Sequence, residues 1–145
     1  MIYKNLTKEY IKDVSELFIK AFNAEPWNDK WTMETTSKRL LQMMNCDGFD
    51  GLVAFEEDKL VGMILGNHEY YYSGMQFVIK EFCIDTSLRG TGKGKKLIED
   101  FEERLRGKGI DEVILMTSRA DETQGFYSKR GYKEISSLVM MMKEL

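Results

Sequence analysis

Apolar residues at 11, 14, 17, 18, 21 and 22 recur at intervals of three and four, the spacing that lines one face of an α-helix. A strand-like start at 2–5 precedes this first helix. After a break at 23–28 around Pro26, Leu40, Leu41 and Met44 repeat the helical spacing within 33–45, with Thr32 placed to cap the start and Gly48 to mark the end. Two apolar runs, 51–55 and 60–65, then flank Glu56, Glu57, Asp58 and Lys59, which predicts an antiparallel hairpin with a charged turn.

Residues 75–85 are rich in Phe, Val and Ile and have the length and composition of a longer strand. From Lys93, the residues Leu97, Ile98, Phe101 and Leu105 fall on one side of a helix and Glu99, Glu102, Glu103, Arg104 and Arg106 on the other, until Gly107 and Gly109 stop it. The continuous apolar run 113–116 predicts a strand buried on both faces and parallel to the one before the glycines. A short helix at about 122–129, a break at Gly131, and two closing strands at 132–135 and 138–142 around Ser136 and Ser137 complete the chain. The expected fold class is mixed α/β. No repeat or shift of composition marks a second domain, so residues 1–145 read as one.

Charge narrows the functions open to such a domain. The formal net charge is −3 with both signs interspersed, which leaves no basic surface to neutralise a row of phosphates and argues against nucleic acid as partner. The longest apolar runs fall far short of the roughly 20 residues of a membrane helix. The start MIYKNLTKEY is polar where a secretory signal is apolar, so a cytoplasmic protein is expected. Cys46, Cys83 and the single His68 have no metal-binding spacing, and two reduced thiols and no metal are expected.

The chemistry concentrates in the run Arg89, Gly90, Thr91, Gly92, Lys93, Gly94. Its glycines lie between a predicted strand and a helix N-terminus, where unpaired amides and the positive end of the helix dipole form a phosphate site. Arg89, Lys93, Lys95 and Lys96 add positive charge that opposes the dipole but suits a phosphate above it. A solvated, flexible turn is the plainer alternative. Two better-known nucleotide loops fail on spacing: the P-loop needs Gly where Arg89 stands and Ser or Thr where Lys96 stands, and the dinucleotide fingerprint needs its third glycine one residue later.

The remaining pattern resembles the pyrophosphate-binding motif of the GNAT superfamily of acetyl-CoA-dependent N-acetyltransferases. A second phrase, Phe126, Tyr127, Ser128, Lys129, Arg130, Gly131, Tyr132, is similar to one that follows later in that family, and the order of elements agrees across nearly the full length. Lys93 departs from the family pattern, where an apolar residue is common. Ala120 and Thr123 stand where the family often has Asn and Ala.

The resemblance implies a single N-acetyltransferase domain whose central mixed, mostly antiparallel sheet is splayed at the cofactor site and flanked by about four helices. It implies acetyl-CoA as co-substrate. The strand 81–85 should part from 113–117 so that backbone groups of Phe82, Cys83 and Ile84 meet the pantetheine, with Arg89, Gly90, Thr91, Gly92, Lys93, Gly94 and Lys95 at the pyrophosphate. The amine would attack directly, helped by preorganised backbone donors. Tyr127 would return a proton to the departing thiolate, and Glu81 would take one from the amine, directly or through water. A surface carboxylate or a substrate salt-bridge partner is the other reading of Glu81. Cys83 has no His partner and reads as packing.

A substrate wall is expected at 25–31, through Glu25, Trp27 and Trp31, with Glu69 and Tyr71 of the stretch 69–72 opposite. Aromatic rings beside carboxylates suit an amine cation, although core packing would equally explain both tryptophans. The expected function is transfer of an acetyl group to a primary amine of a small cationic molecule. A protein or peptide N-acetyltransferase and a non-catalytic CoA-binding sensor are the alternatives, and the resemblance allows a homodimer.

Overall fold

The computed structural model describes residues 1–145. Glu57 and Asp58 both take positive φ, 49° and 62°, as in the two-residue turn whose twist matches that of flanking antiparallel strands. They join β2 (Phe49–Glu56) to β3 (Lys59–Tyr71). The short β1 (Ile2–Asn5) pairs antiparallel with β2, and β4 (Gly74–Ile84) pairs antiparallel with β3. The parallel partner of β4 is β5 (Glu112–Leu115), so the five strands lie in sequence order with one parallel pair at the end.

Helices cover both faces, as their apolar stripes require. On one face α1 (Ile11–Phe22) and α2 (Met33–Met44) bury Val14, Leu17, Phe18, Leu40 and Met44 against Val53, Met63, Leu65 and Cys83. Each such side chain, fully buried, contributes about 1.5–3 kcal/mol. The predicted cap of α2 is present as a reciprocal pair: the Thr35 amide donates to the Thr32 hydroxyl at 3.1 Å and the Thr32 amide to the Thr35 hydroxyl at 2.9 Å. On the other face lies α3 (Lys93–Gly107), whose Phe101 meets Phe77 of β4 edge to face at 5.3 Å.

Asp50 anchors the far end of α3. It is buried at the start of β2 and accepts bonds from Arg104 at 2.8 Å and Lys108 at 2.6 Å. Burial works against its carboxylate, but the two cations outweigh it and hold the group below the usual range.

One irregularity shapes the site. Along β3 and β4 the register runs Leu65↔Glu81 and then Gly66↔Ile79, which leaves Lys80 as the extra residue of a bulge. Gly66 permits this close approach, since a Cβ there would lie 1.9 Å from the Val78 carbonyl oxygen. The β4–β5 ladder reaches only from Gln76↔Glu112 to Ile79↔Leu115, while Glu81 to Ile84 continue on β3. The parallel pair therefore ends at the bulge.

Contacts divide the chain into two compact units, Met1–Leu115 and Met116–Leu145. In the second, α4 (Gln124–Ser128) ends in a turn where Gly131 has φ of 88° and the Tyr132 amide donates to the Tyr127 carbonyl at 3.2 Å. The two closing strands expected at 132–135 and 138–142 do not form. Their turn does, with the Leu138 amide donating to the Ile135 carbonyl at 3.1 Å. Strand composition is only a tendency: no ladder forms here, and Ile135, Leu138, Val139, Met140, Met141 and Met142 lie exposed. No helix is long and apolar enough to cross a membrane.

Candidate active site at the exit of strand β4

The exit of β4 is fixed by a buried carboxylate. Asp85 receives Lys20 of α1 at 2.8 Å and Lys59 of the hairpin at 3.2 Å, and caps the next turn through the Ser87 amide and hydroxyl at 3.0 and 2.8 Å. The bond from Lys20, joined by those from Ser87 and Lys59, holds its carboxyl well below the usual range despite burial.

Four residues on, the glycine run opens. Gly90 and Gly92 have φ of 77° and 83°, in the left-handed region that side chains resist, and nothing lies within 4 Å of a Cβ built on either. Gly92 is the N-cap of α3 and supplies no side-chain cap, and the first intrahelical bond is from the Lys96 amide to the Gly92 carbonyl at 3.0 Å. The preceding amides of Lys93, Gly94 and Lys95 thus have no acceptor within the helix. An uncapped, glycine-lined helix start fits an anionic phosphate group.

The lysines are directed elsewhere. Lys93 pairs with Glu56 at the end of β2, Lys96 with Asp100 at 2.7 Å, and Lys95 lies 3.9 Å from Glu99. At Lys93 the departure from the family pattern thus fastens α3 to the sheet. Arg89 turns toward the α1–α2 connection, donating to the Glu25 carbonyl at 3.0 Å with its guanidinium 5.7 Å from the Trp27 ring. Thr91 donates its hydroxyl to the Leu88 carbonyl at 2.6 Å.

The two tryptophans separate. Trp31 packs edge-on against Phe18 at 5.1 Å, its backbone amide and carbonyl are both held by the Asn23 side chain, and its indole N–H donates to Asp29 at 3.1 Å. It is largely a packing residue. Trp27 leans on Phe22 at 5.1 Å and keeps 38% of its surface exposed beside Arg89.

Glu81 is 8% exposed, on the α1–α2 face with Cys83, and accepts a bond from Arg39 Nε of α2 at 2.7 Å. Burial pushes its carboxyl up, Arg39 pulls it down, and the charge of Asp29 pushes it up again, leaving it above the usual value. Burial and the neighbouring Glu81 push the Cys83 thiol far up, which suits an inert packing residue. Glu25, Trp27, Trp31, Glu81 and Arg89 thus gather around the exit of β4.

Glu69 and Tyr71 do not. They sit at the opposite tip of the β3–β4 hairpin, opposite Gln76 and Gly74, while the exit pairs Gly62 with Ile84, a separation of about 30 Å along the strand. They are expected opposite 25–31, but β3 runs on through Tyr71 and carries them to the far end of the hairpin. Tyr127 belongs to the second unit, where its ring lies 5.2 Å from Phe126 and 5.5 Å from Tyr132. Arg39 escaped the sequence reading, and Asp29 entered it only as part of the stretch 25–31. The available signal for Arg39 was its place next to Leu40, at the border of the apolar stripe of α2.

A mixed sheet whose parallel pair stops at a bulge thus leads into a glycine-started helix. Residues 6–141 match the model of the acetyltransferase (GNAT) domain, and the chain belongs to that family. It is similar to the uncharacterised protein YxbD of Bacillus subtilis (30% identity over 91 residues, 61% of this chain and 54% of that one). It is also similar to the glucosamine 6-phosphate N-acetyltransferase of Trypanosoma brucei brucei (42% over 55 residues, 38% and 36% of the two chains). A third relative is glucosamine 6-phosphate N-acetyltransferase 1 of rice, Oryza sativa subsp. japonica (26% over 131 residues, 86% and 78%). The matches span about half of the Bacillus protein and about a third of the trypanosome one.

Among solved structures, a possible acetyltransferase from Clostridium difficile 630 shares the fold with a TM-score of 0.83 at 14% identity, over 99% of this chain and 97% of that one. An aminoglycoside acetyltransferase from an uncultured soil metagenomic sample, in complex with sisomicin, does so with a TM-score of 0.72 at 24% identity, over 99% and 95%.

Proposed function

We propose that this chain transfers an acetyl group from acetyl-CoA to a primary amine of a small, cationic molecule in the cytoplasm. The observation that carries this is the buried carboxylate of Glu81, set on β4 just past the end of the β5 ladder, on the strand that leads into the uncapped start of α3. Membership of the family supports acetyl-CoA as donor, and the names of the trypanosome and rice relatives and of the sisomicin complex support amine-bearing sugars as the acceptor type.

Bound acetyl-CoA supplies the acetyl group as a thioester. The amides at the start of α3, with Gly90, Thr91 and Gly92, hold its pyrophosphate. Backbone groups of Phe82, Cys83 and Ile84 align its pantetheine arm. Glu81 orients the acceptor ammonium by charge and takes one of its protons, for which burial has raised its basicity. Trp27 and the carboxylate of Glu25 bound the acceptor on the side of the α1–α2 connection. Tyr127 returns a proton to the leaving sulfur.

Release of CoA thiol from acetyl-CoA, measured with glucosamine 6-phosphate, sisomicin, a linear polyamine and lysine peptides in parallel, tests this reading. Turnover with a small amine is the expected result. CoA binding with no turnover on any acceptor would instead indicate a sensor, and turnover confined to peptides a protein-directed enzyme.

A further inference from the structure

Glu81 has a partner that neither the spacing nor the family pattern brought forward. Arg39 projects from α2 with its side chain 42% exposed, yet its Nε reaches the buried carboxylate at 2.7 Å. The guanidinium also lies 5.6 Å from the Trp31 ring, and Trp31 is fixed in turn by Asn23 and Asp29. A guanidinium held over a clamped ring and bonded to a buried carboxylate is restrained from turning away.

We propose that Arg39 is a positioning residue for Glu81: held over Trp31, it aims the carboxylate and keeps it charged until an acceptor ammonium arrives. The inference rests on the proposed role of Glu81 as proton acceptor. The other groups bearing on that carboxylate leave the task to Arg39. Asp29, in the α1–α2 connection, opposes ionisation; Cys83, on the same face of β4, is an un-ionised thiol; Arg89, whose charge reaches Cys83, makes no bond to Glu81 and donates instead to the Glu25 carbonyl; Lys20 of α1 is engaged by Asp85. Arg39 is thus the cation on which an ionised, buried Glu81 depends.

The arrangement makes the acceptor and Arg39 successive partners of one carboxylate. An incoming ammonium takes over part of the charge pairing as Glu81 turns to it, so the carboxylate has an opposite charge nearby before and after binding. Loss of Arg39 leaves a buried acid that stays protonated to higher pH, and a protonated acid accepts nothing from the amine.

The test uses the full chain and its Arg39→Gln and Arg39→Lys variants, each checked for folding by circular dichroism. A ¹³C NMR titration follows the Glu81 carboxyl, assigned by its absence in Glu81→Gln, and kcat/KM is measured against pH with acetyl-CoA and glucosamine 6-phosphate. In folded Arg39→Gln the Glu81 midpoint is expected to rise by about one pH unit or more, with the acid limb of kcat/KM rising by the same amount, and Arg39→Lys should recover most of both. An unmoved midpoint would overturn the proposal. So would a moved midpoint with an unmoved acid limb, which would make the pair structural only. Should the wild type acetylate no amine, the proposed function fails by itself, and the NMR midpoint still decides whether Arg39 governs the charge of Glu81.

Discussion

Phe77 and Glu81 stand four positions apart on β4, yet Phe77 packs on Phe101 of α3 while Glu81 bonds to Arg39 of α2. Strict alternation would put them on one face. The bulge at Lys80 reverses the phase, and so carries a carboxylate to the α1–α2 side just where the β5 ladder ends.

On the proposed mechanism Glu81 is the group whose charge gates turnover. Glu81→Gln should lower kcat/KM about 100-fold and leave acetyl-CoA affinity unchanged. In the wild type, activity should climb with pH as the carboxyl ionises, and the climb should sit above the ordinary carboxylate range because burial raises the group. The substituted enzyme should lack this acid limb in a pH profile.

The bulge depends on Gly66. Gly66→Ala would drive a methyl group into the Val78 carbonyl, and a loss of about 3 kcal/mol is expected from overpacking a central strand. Urea unfolding measures it, and wild-type stability would mean that the strands part more easily than their register implies.

Gly92 should behave differently, because space surrounds it. Gly92→Leu is expected to cost about 1–2 kcal/mol from its left-handed φ while placing a side chain over the start of α3. Calorimetric titration with CoA should then detect no binding to a protein that still folds.

Asp85 ties stability to pH. Its folded carboxyl titrates below its unfolded value of about 3.9, so its contribution is complete above that value and disappears as the pH falls through the folded one. Asp85→Asn should remove about 2–3 kcal/mol near neutrality, and this loss should begin to shrink once the pH falls below the unfolded value. Urea denaturation at pH 7 and at about pH 2 compares the two, and equal losses would refute the linkage.

Tyr127→Phe should lower kcat about 100-fold with KM for acetyl-CoA unchanged. A wild-type rate would remove the phenol from the reaction.

Much of the frame was legible because local signals and packing agreed. The period of three and four marked α1 from Ile11 to Phe22, the capping threonine marked the start of α2, and the charged pair Glu57 and Asp58 marked the hairpin. The glycine run was legible for the same reason, since its backbone conformation admits few other residues. The Glu81–Arg39 pair was not, because it joins residues 42 positions apart and depends on a phase reversal whose one local trace is Gly66 in an apolar run. At the tail, composition spoke for strands that have no ladder, and at Glu69 and Tyr71 the pairing of aromatic and acidic residues could not show that β3 runs on and carries them away from the exit of β4.

The early end of the β4–β5 ladder also bears on how this protein would respond to selection for heat resistance. Extending β5 by a few β-branched residues would add backbone hydrogen bonds along Glu81 to Ile84 and should raise the melting temperature. It would also zip shut the edge to which the proposed function assigns the donor. Thermostabilised variants should therefore accumulate changes in α1, α2 and the β2–β3 turn, and leave the length of β5 as it is.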